Sequence, residues 1–157
     1  MNTRLLAPVF LMCTSGLCLA DQHVVPSAKN VGEFLALGQV EVAKSRVAYC
    51  VTVVPDLASE LQAELITYRA KFDEAIRPTL KRISTSPTLS RPIPDELVNA
   101  FESQMTDGLE QWKKSDAPTT CSRMLDILKN TTVSSIRDVS EQAVSRYEEA
   151  VKSGAIR

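Results

Sequence analysis

Residues 57–83 read LASELQAELITYRAKFDEAIRPTLKRI, and their apolar positions decide the fold. Leu57, Leu61, Leu65, Tyr68, Phe72, Ile76, Leu80 and Ile83 recur at spacings of three and four, the repeat that places side chains on one face of an α-helix. Asp73 and Arg77 stand four apart on the opposite, wet side, where an acid and a base support the helix. Pro55 suits the first turn, because its missing N–H would have had no partner there, and Asp56 favours the positive end of the helix dipole. Pro78 removes a backbone donor and crowds the preceding turn, so a kink or break is expected near Ala75. A stripe this long must be covered by other elements, and the rest of the chain supplies helices to do it.

Upstream, Asn30 can accept an orphan backbone N–H, and Glu33 three residues on completes a capping-box pattern. The first helix is expected from Asn30 to about Tyr49. Its apolar residues Val31, Phe34, Leu35, Val42, Val47 and Ala48 are only loosely periodic, and Gly38 weakens its middle. Cys50-Val51-Thr52-Val53-Val54 is short and β-branched, but no second strand exists to pair with it, so it reads as a buried turn or helix end.

Downstream, Ser84 to Pro94 is a Ser, Thr and Pro connection, long for a helix hairpin. A third helix begins near Asp95, with Leu97, Val98, Phe101, Met105, Gly108, Leu109 and Trp112 on one face. Gly108 on that stripe suggests close approach of another backbone. Ser115 to Thr120 is a proline-bearing turn. Cys121 to Ser153 forms the last helical region, with a bend or short break at Asn130-Thr131-Thr132-Val133, poor helix material, and a stop at Gly154. The expected fold is all-α: an up-down-up-down four-helix bundle over residues 30–157, preceded by a flexible segment at 21–29.

Residues 1–20 fit an export signal: Arg4 gives a positive start, Leu5 to Met12 is apolar, and Cys18-Leu19-Ala20 offers a signal-peptidase site. The apolar stretch is much shorter than the roughly 20 residues that span a bilayer, so the leader reads as cleaved, leaving no transmembrane anchor and a periplasmic or secreted product. The lipoprotein pattern is missing, since Leu17 precedes Cys18 and Met12 precedes Cys13. Of four cysteines, Cys50 and Cys121 then remain. In the expected bundle the end of the first helix and the start of the last lie at the same end, so a disulfide between Cys50 and Cys121 needs no awkward crossing. In the chain-entropy model, closing a loop of about 70 residues contributes roughly 4 kcal/mol.

The residue inventory argues against most chemistries. The single histidine, His23, lies near the expected new terminus, away from any rigid scaffold for a Ser-His-Asp arrangement. Glu-x-x-His pairs, clustered Cys and His ligands and C-x-x-C-H are missing. Met105 and Met124 read as core filler. Glu60 with Glu64, Asp73-Glu74 and Glu148-Glu149 are carboxylate pairs, but they fall among Lys and Arg on polar faces. The richest basic set, Arg77, Lys81, Arg82 and Arg91, has no interleaved aromatics, and the chain is nearly neutral, at −1, so nucleic acid is not an expected partner. The chain reads as a non-enzyme.

Three functional expectations follow. The first is a bacterial envelope protein acting by binding a partner protein, as a chaperone, inhibitor or immunity-type factor, with the Ser84–Pro94 loop as a contact at the end opposite the disulfide. The second is Cu(II) or Ni(II) binding by Asp21, Gln22 and His23: a free amine, two deprotonated amides and the imidazole make a square plane. The third is a sensor or apolar-ligand bundle with a cavity lined by Phe72, Phe101, Met105 and Trp112. A eukaryotic source would instead make Asn130-Thr131-Thr132 a glycosylation acceptor.

Overall fold

The computed structural model describes residues 28–156. Five α-helices follow one another: α1 (Val31–Val53), α2 (Ala58–Thr85), α3 (Asp95–Lys113), α4 (Ala117–Asn130) and α5 (Val133–Lys152), with a single 3₁₀ turn, Pro55–Leu57, before α2. No strand occurs among the described residues. The expected leader and the Asp21, Gln22 and His23 metal motif lie outside them.

The chain reverses direction between α1 and α2, between α2 and α3, and between α3 and α4. Gly32 near the start of α1 meets Ile83 near the end of α2, so these helices are antiparallel. Lys71 of α2 reaches the end of α4, while Thr79 and Arg82 reach Glu141 of α5, so α4 and α5 together run alongside α2. Phe101 of α3 packs on Phe34 and Trp112 lies beside Arg46, which sets α3 parallel to α1.

Two expectations need correction. The expected break near Asn130 is present and divides the last helical region into α4 and α5, so the Cys50–Cys121 disulfide joins α1 to α4, not to the last helix. Its Cα atoms are 5.4 Å apart and both cysteines are fully buried. The break falls at Thr131, whose backbone is extended. Thr132 then caps α5 by accepting from the Ser135 N–H, while the Ser135 hydroxyl accepts from the Thr132 N–H. Lys71 Nζ donates to the carbonyls of Lys129 and Thr131 at 3.3 and 3.0 Å. A long-range cation thus satisfies carbonyls that the interruption leaves without intrahelical donors.

The second correction concerns Gly108: among the described residues nothing from a neighbouring element lies within 4 Å of where its Cβ would be, so no backbone of theirs approaches it. The close approach is at Gly32 instead, where a Cβ would sit 2.6 and 2.7 Å from the two γ-carbons of Ile83. Gly38 is also covered: a Cβ there would sit 3.0 Å from the Phe101 ring. At Pro78, α2 continues without a break. The first helix extends past Tyr49 to Val53, absorbing the β-branched segment.

The Ser84–Pro94 connection is partly internal. Leu89 is fully buried with Ala36, Ile83 and Val144, and the carbonyls of Leu89 and Arg91 accept from the N–H groups of Gly32 and Val31 at 2.9 and 3.0 Å. These are the first amides of α1, which the helix itself leaves unpaired. Asn30 Oδ1 accepts from the Glu33 N–H as expected, but the Glu33 carboxylate accepts from Lys29 rather than from Asn30.

The main core joins four helices: Val40 and Val47 of α1, Leu61, Phe72 and Ile76 of α2, Met124 and Leu128 of α4, and Ile136 of α5. Full burial of each large apolar side chain stabilises by roughly 1.5–3 kcal/mol. α3 has no fully buried residue. At the end away from the disulfide, Arg82 bridges Glu141 at 2.5 Å and Glu148, and Ser86 donates to Glu148 at 3.0 Å. Burial raises the Glu148 carboxyl pKa, but the hydrogen bonds from Arg82 and Ser86 and the Arg82 charge outweigh it, leaving it below the ordinary value.

Two outcomes check this packing. Gly32→Ala is expected to destabilise by about 1–3 kcal/mol through overpacking, and Gly108→Ala to stabilise by up to about 1 kcal/mol, both read by urea unfolding. Because the folded pKa of Glu148 is depressed, its contribution is present above its unfolded value and lost as pH falls through the folded one. The stability gap between wild type and Glu148→Gln should therefore be widest near neutrality and close in acid; a gap that persists below the carboxylate range contradicts the pairing.

Candidate binding groove

α1 carries four charged side chains, Glu33, Glu41, Lys44 and Arg46. Glu33 caps the chain entry, and Glu41, 5% exposed, meets Lys44 at 2.5 Å. Arg46 has neither an ion pair nor a hydrogen bond among the described residues. Its guanidinium carbon lies 4.6 Å from the Trp112 ring centroid of α3, a cation–π contact that fixes the head group without neutralising it. Burial lowers the Arg46 pKa from its ordinary value.

Arg46 edges a half-open groove of about 200 Å³. Gln39, Val42 and Ala43 continue the α1 wall from it, Tyr68 enters from α2, and Met124, Ile127 and Leu128 form the α4 wall. Ile127 stands at the rim, 42% exposed. Tyr68 is nearly buried and its hydroxyl has no hydrogen-bond partner among the described residues; burial raises its pKa. The disulfide holds the two principal walls together, since Cys50 follows Arg46 by one helical turn and Cys121 precedes Met124 by about one. A smaller hollow of about 40 Å³ lies between α1 and α3, against Ser45, Met105 and Leu109, and shares Val42 and Arg46 with the groove.

The expected cavity set is not brought together. Phe72 is in the central core, Phe101 sits edge-on to Phe34 with centroids 5.1 Å apart, Met105 lines the smaller hollow, and Trp112 faces Arg46. Among the carboxylates, Glu60 is paired with Lys129 at 2.6 Å and Glu148 with Arg82. Arg82 of the basic set is thereby committed to acids of α5. No group of three or more His, Cys, Asp or Glu able to hold a metal occurs among the described residues, and no helix there is long and apolar enough to cross a membrane.

Sequence reasoning passed over Arg46 and Tyr68. A signal was present for the first: the positions three and four residues from Arg46 are Val42, Ala43, Tyr49 and Cys50, so no local acid can pair with it along the helix. Tyr68 was indistinguishable from its neighbours in the apolar stripe. No family model, curated protein or solved structure matches this chain.

A cation held for binding contributes little to stability. Arg46→Met, which keeps the stem and removes the charge, is expected to lower unfolding free energy by no more than about 1 kcal/mol, the worth of the cation–π contact with Trp112. A loss of several kcal/mol in urea titration would mark Arg46 as a structural residue.

Proposed function

We propose that this protein acts by binding, without catalysis, and that the α1–α2–α4 groove, with α3 beside it, is the place where it binds an apolar group. The observation that carries the reading is the contrast between a core closed by α1, α2, α4 and α5 and a 19-residue α3 with no fully buried residue, lying next to a half-open apolar hollow. Ordering a residue costs about 1–2 kcal/mol of backbone entropy, and α3 recovers little of that through burial. Elements of low local stability are those that move when ligands bind.

Export to the bacterial envelope belongs to this proposal; the buried Cys50–Cys121 bond supports it, because such bonds persist where thiols are oxidised. A partner protein is the second reading. It is favoured by Ile66 of α2, 70% exposed, while the loop that first suggested a contact uses Leu89 and two carbonyls internally. The test is an amide and methyl NMR titration of the oxidised protein with 1-octanol as a neutral apolar probe. Saturable shifts centred on Val42, Ala43 and Ile127, with Trp112 responding, are expected. Shifts spread over the surface without saturation would contradict a groove.

A further inference from the structure

Resting on that reading, we propose that the groove takes a small amphipathic carboxylate, its anionic head at Arg46 and its apolar body along Val42, Ala43 and the α4 wall. The argument is charge complementarity in a confined apolar setting. A guanidinium moved partly out of water loses hydration, and buried or half-buried charges are ordinarily paired. Among the described residues Arg46 is the one charged side chain of α1 without a polar partner, although Glu41 and Lys44 on the same helix are matched to each other. The Trp112 ring covers the guanidinium but supplies no acceptor for its N–H groups.

A carboxylate fits this vacancy in chemistry and in shape. The planar fork of Arg bonds a carboxylate through two parallel N–H donors. Tyr68, lining the same groove with a hydroxyl that has no partner among the described residues, offers a further donor from α2. Beyond these two groups the lining is apolar apart from Gln39. An apolar cavity of about 150 Å³ holds a benzene-sized guest, so a groove of about 200 Å³ takes an aromatic ring or a chain of about six to eight carbons. From Arg46 back to Gln39 is two turns of α1, about 10 Å along the axis, which suits a chain of that length lying parallel to the helix.

Octanoate is the probe, ionised at pH 7, and 1-octanol is its neutral counterpart. Calorimetry on the oxidised protein should give saturable one-to-one binding of octanoate, at least tenfold tighter than 1-octanol. Arg46→Met should lose at least tenfold in octanoate affinity while binding 1-octanol within twofold of wild type; Arg46→Lys, which keeps the charge but lacks the planar fork, should bind octanoate more weakly than wild type and more tightly than Arg46→Met. Tyr68→Phe should weaken octanoate severalfold. Circular dichroism verifies that each variant is folded. Equal affinity for the two probes, or wild-type octanoate binding by Arg46→Met, overturns the carboxylate assignment and leaves the groove reading intact. Failure of both probes to shift Val42, Ala43 and Ile127 removes both. Concentration-dependent shifts of Ile127 with self-association, and no octanoate binding, would give the groove to a second copy of the chain and likewise overturn the assignment.

Discussion

The Cys50–Cys121 bond ties the end of α1 to the start of α4 across a sequence separation of 71, and α2 and α3 both lie within the loop it closes. In the chain-entropy model such a link contributes roughly 4 kcal/mol by restricting the unfolded chain. Its position matters as much as its strength. Both sulfurs are buried in the main core, and the residues one turn from them, Arg46 on one side and Met124 on the other, belong to the walls of the groove. The covalent tie, the core and the groove share one stretch of α1, so the spacing of the walls is inherited from the most constrained part of the molecule.

Around that tie the molecule divides into a frame and an attachment. α1, α2, α4 and α5 supply the main core, and polar links bind the α2–α5 pair at its far end: Thr79 donates to Glu141 at 2.6 Å, and Arg82 joins Glu141 to Glu148. α3 instead rests on α1 through Phe101 over Gly38 and Phe34, and through Trp112 beneath Arg46. Aromatic pairs add about 0.5–1.5 kcal/mol and a cation–π contact about 0.5–1 kcal/mol, small against the burial of a whole helix face. With Trp112 also packed against the main core, these contacts place α3 next to the groove and leave it the one helix of the five without a fully buried residue.

The apolar stripe of residues 57–83 made α2 legible because that helix buries one face only. α1 was harder to read for a physical reason: it touches α2, α3, α4 and α5, and a helix covered on several sides has no clean stripe. The same multiplicity hid Arg46, the exception on an otherwise apolar or paired helix. Thr131 and Thr132 announced the break in the last rod through their chemistry, whereas Lys71 as its stabiliser is a contact between residues 60 apart and carries no local signature. Gly32 and Gly108 were equally visible as letters, but only the tertiary packing of Ile83 and Leu89 distinguishes the glycine that is needed from the one that is not. Leu89 lay in a Ser, Thr and Pro run whose composition spoke for exposure, and its burial follows from the need to pair the first amides of α1.

Hydrogen exchange of the oxidised protein, followed peptide by peptide, tests the division between frame and attachment most directly. Amides of residues 95–113 should exchange through a local opening, well before those in the cores of α1, α2, α4 and α5, which should exchange last and together. Protection of α3 equal to that of the frame, lost only on global unfolding, would contradict the account.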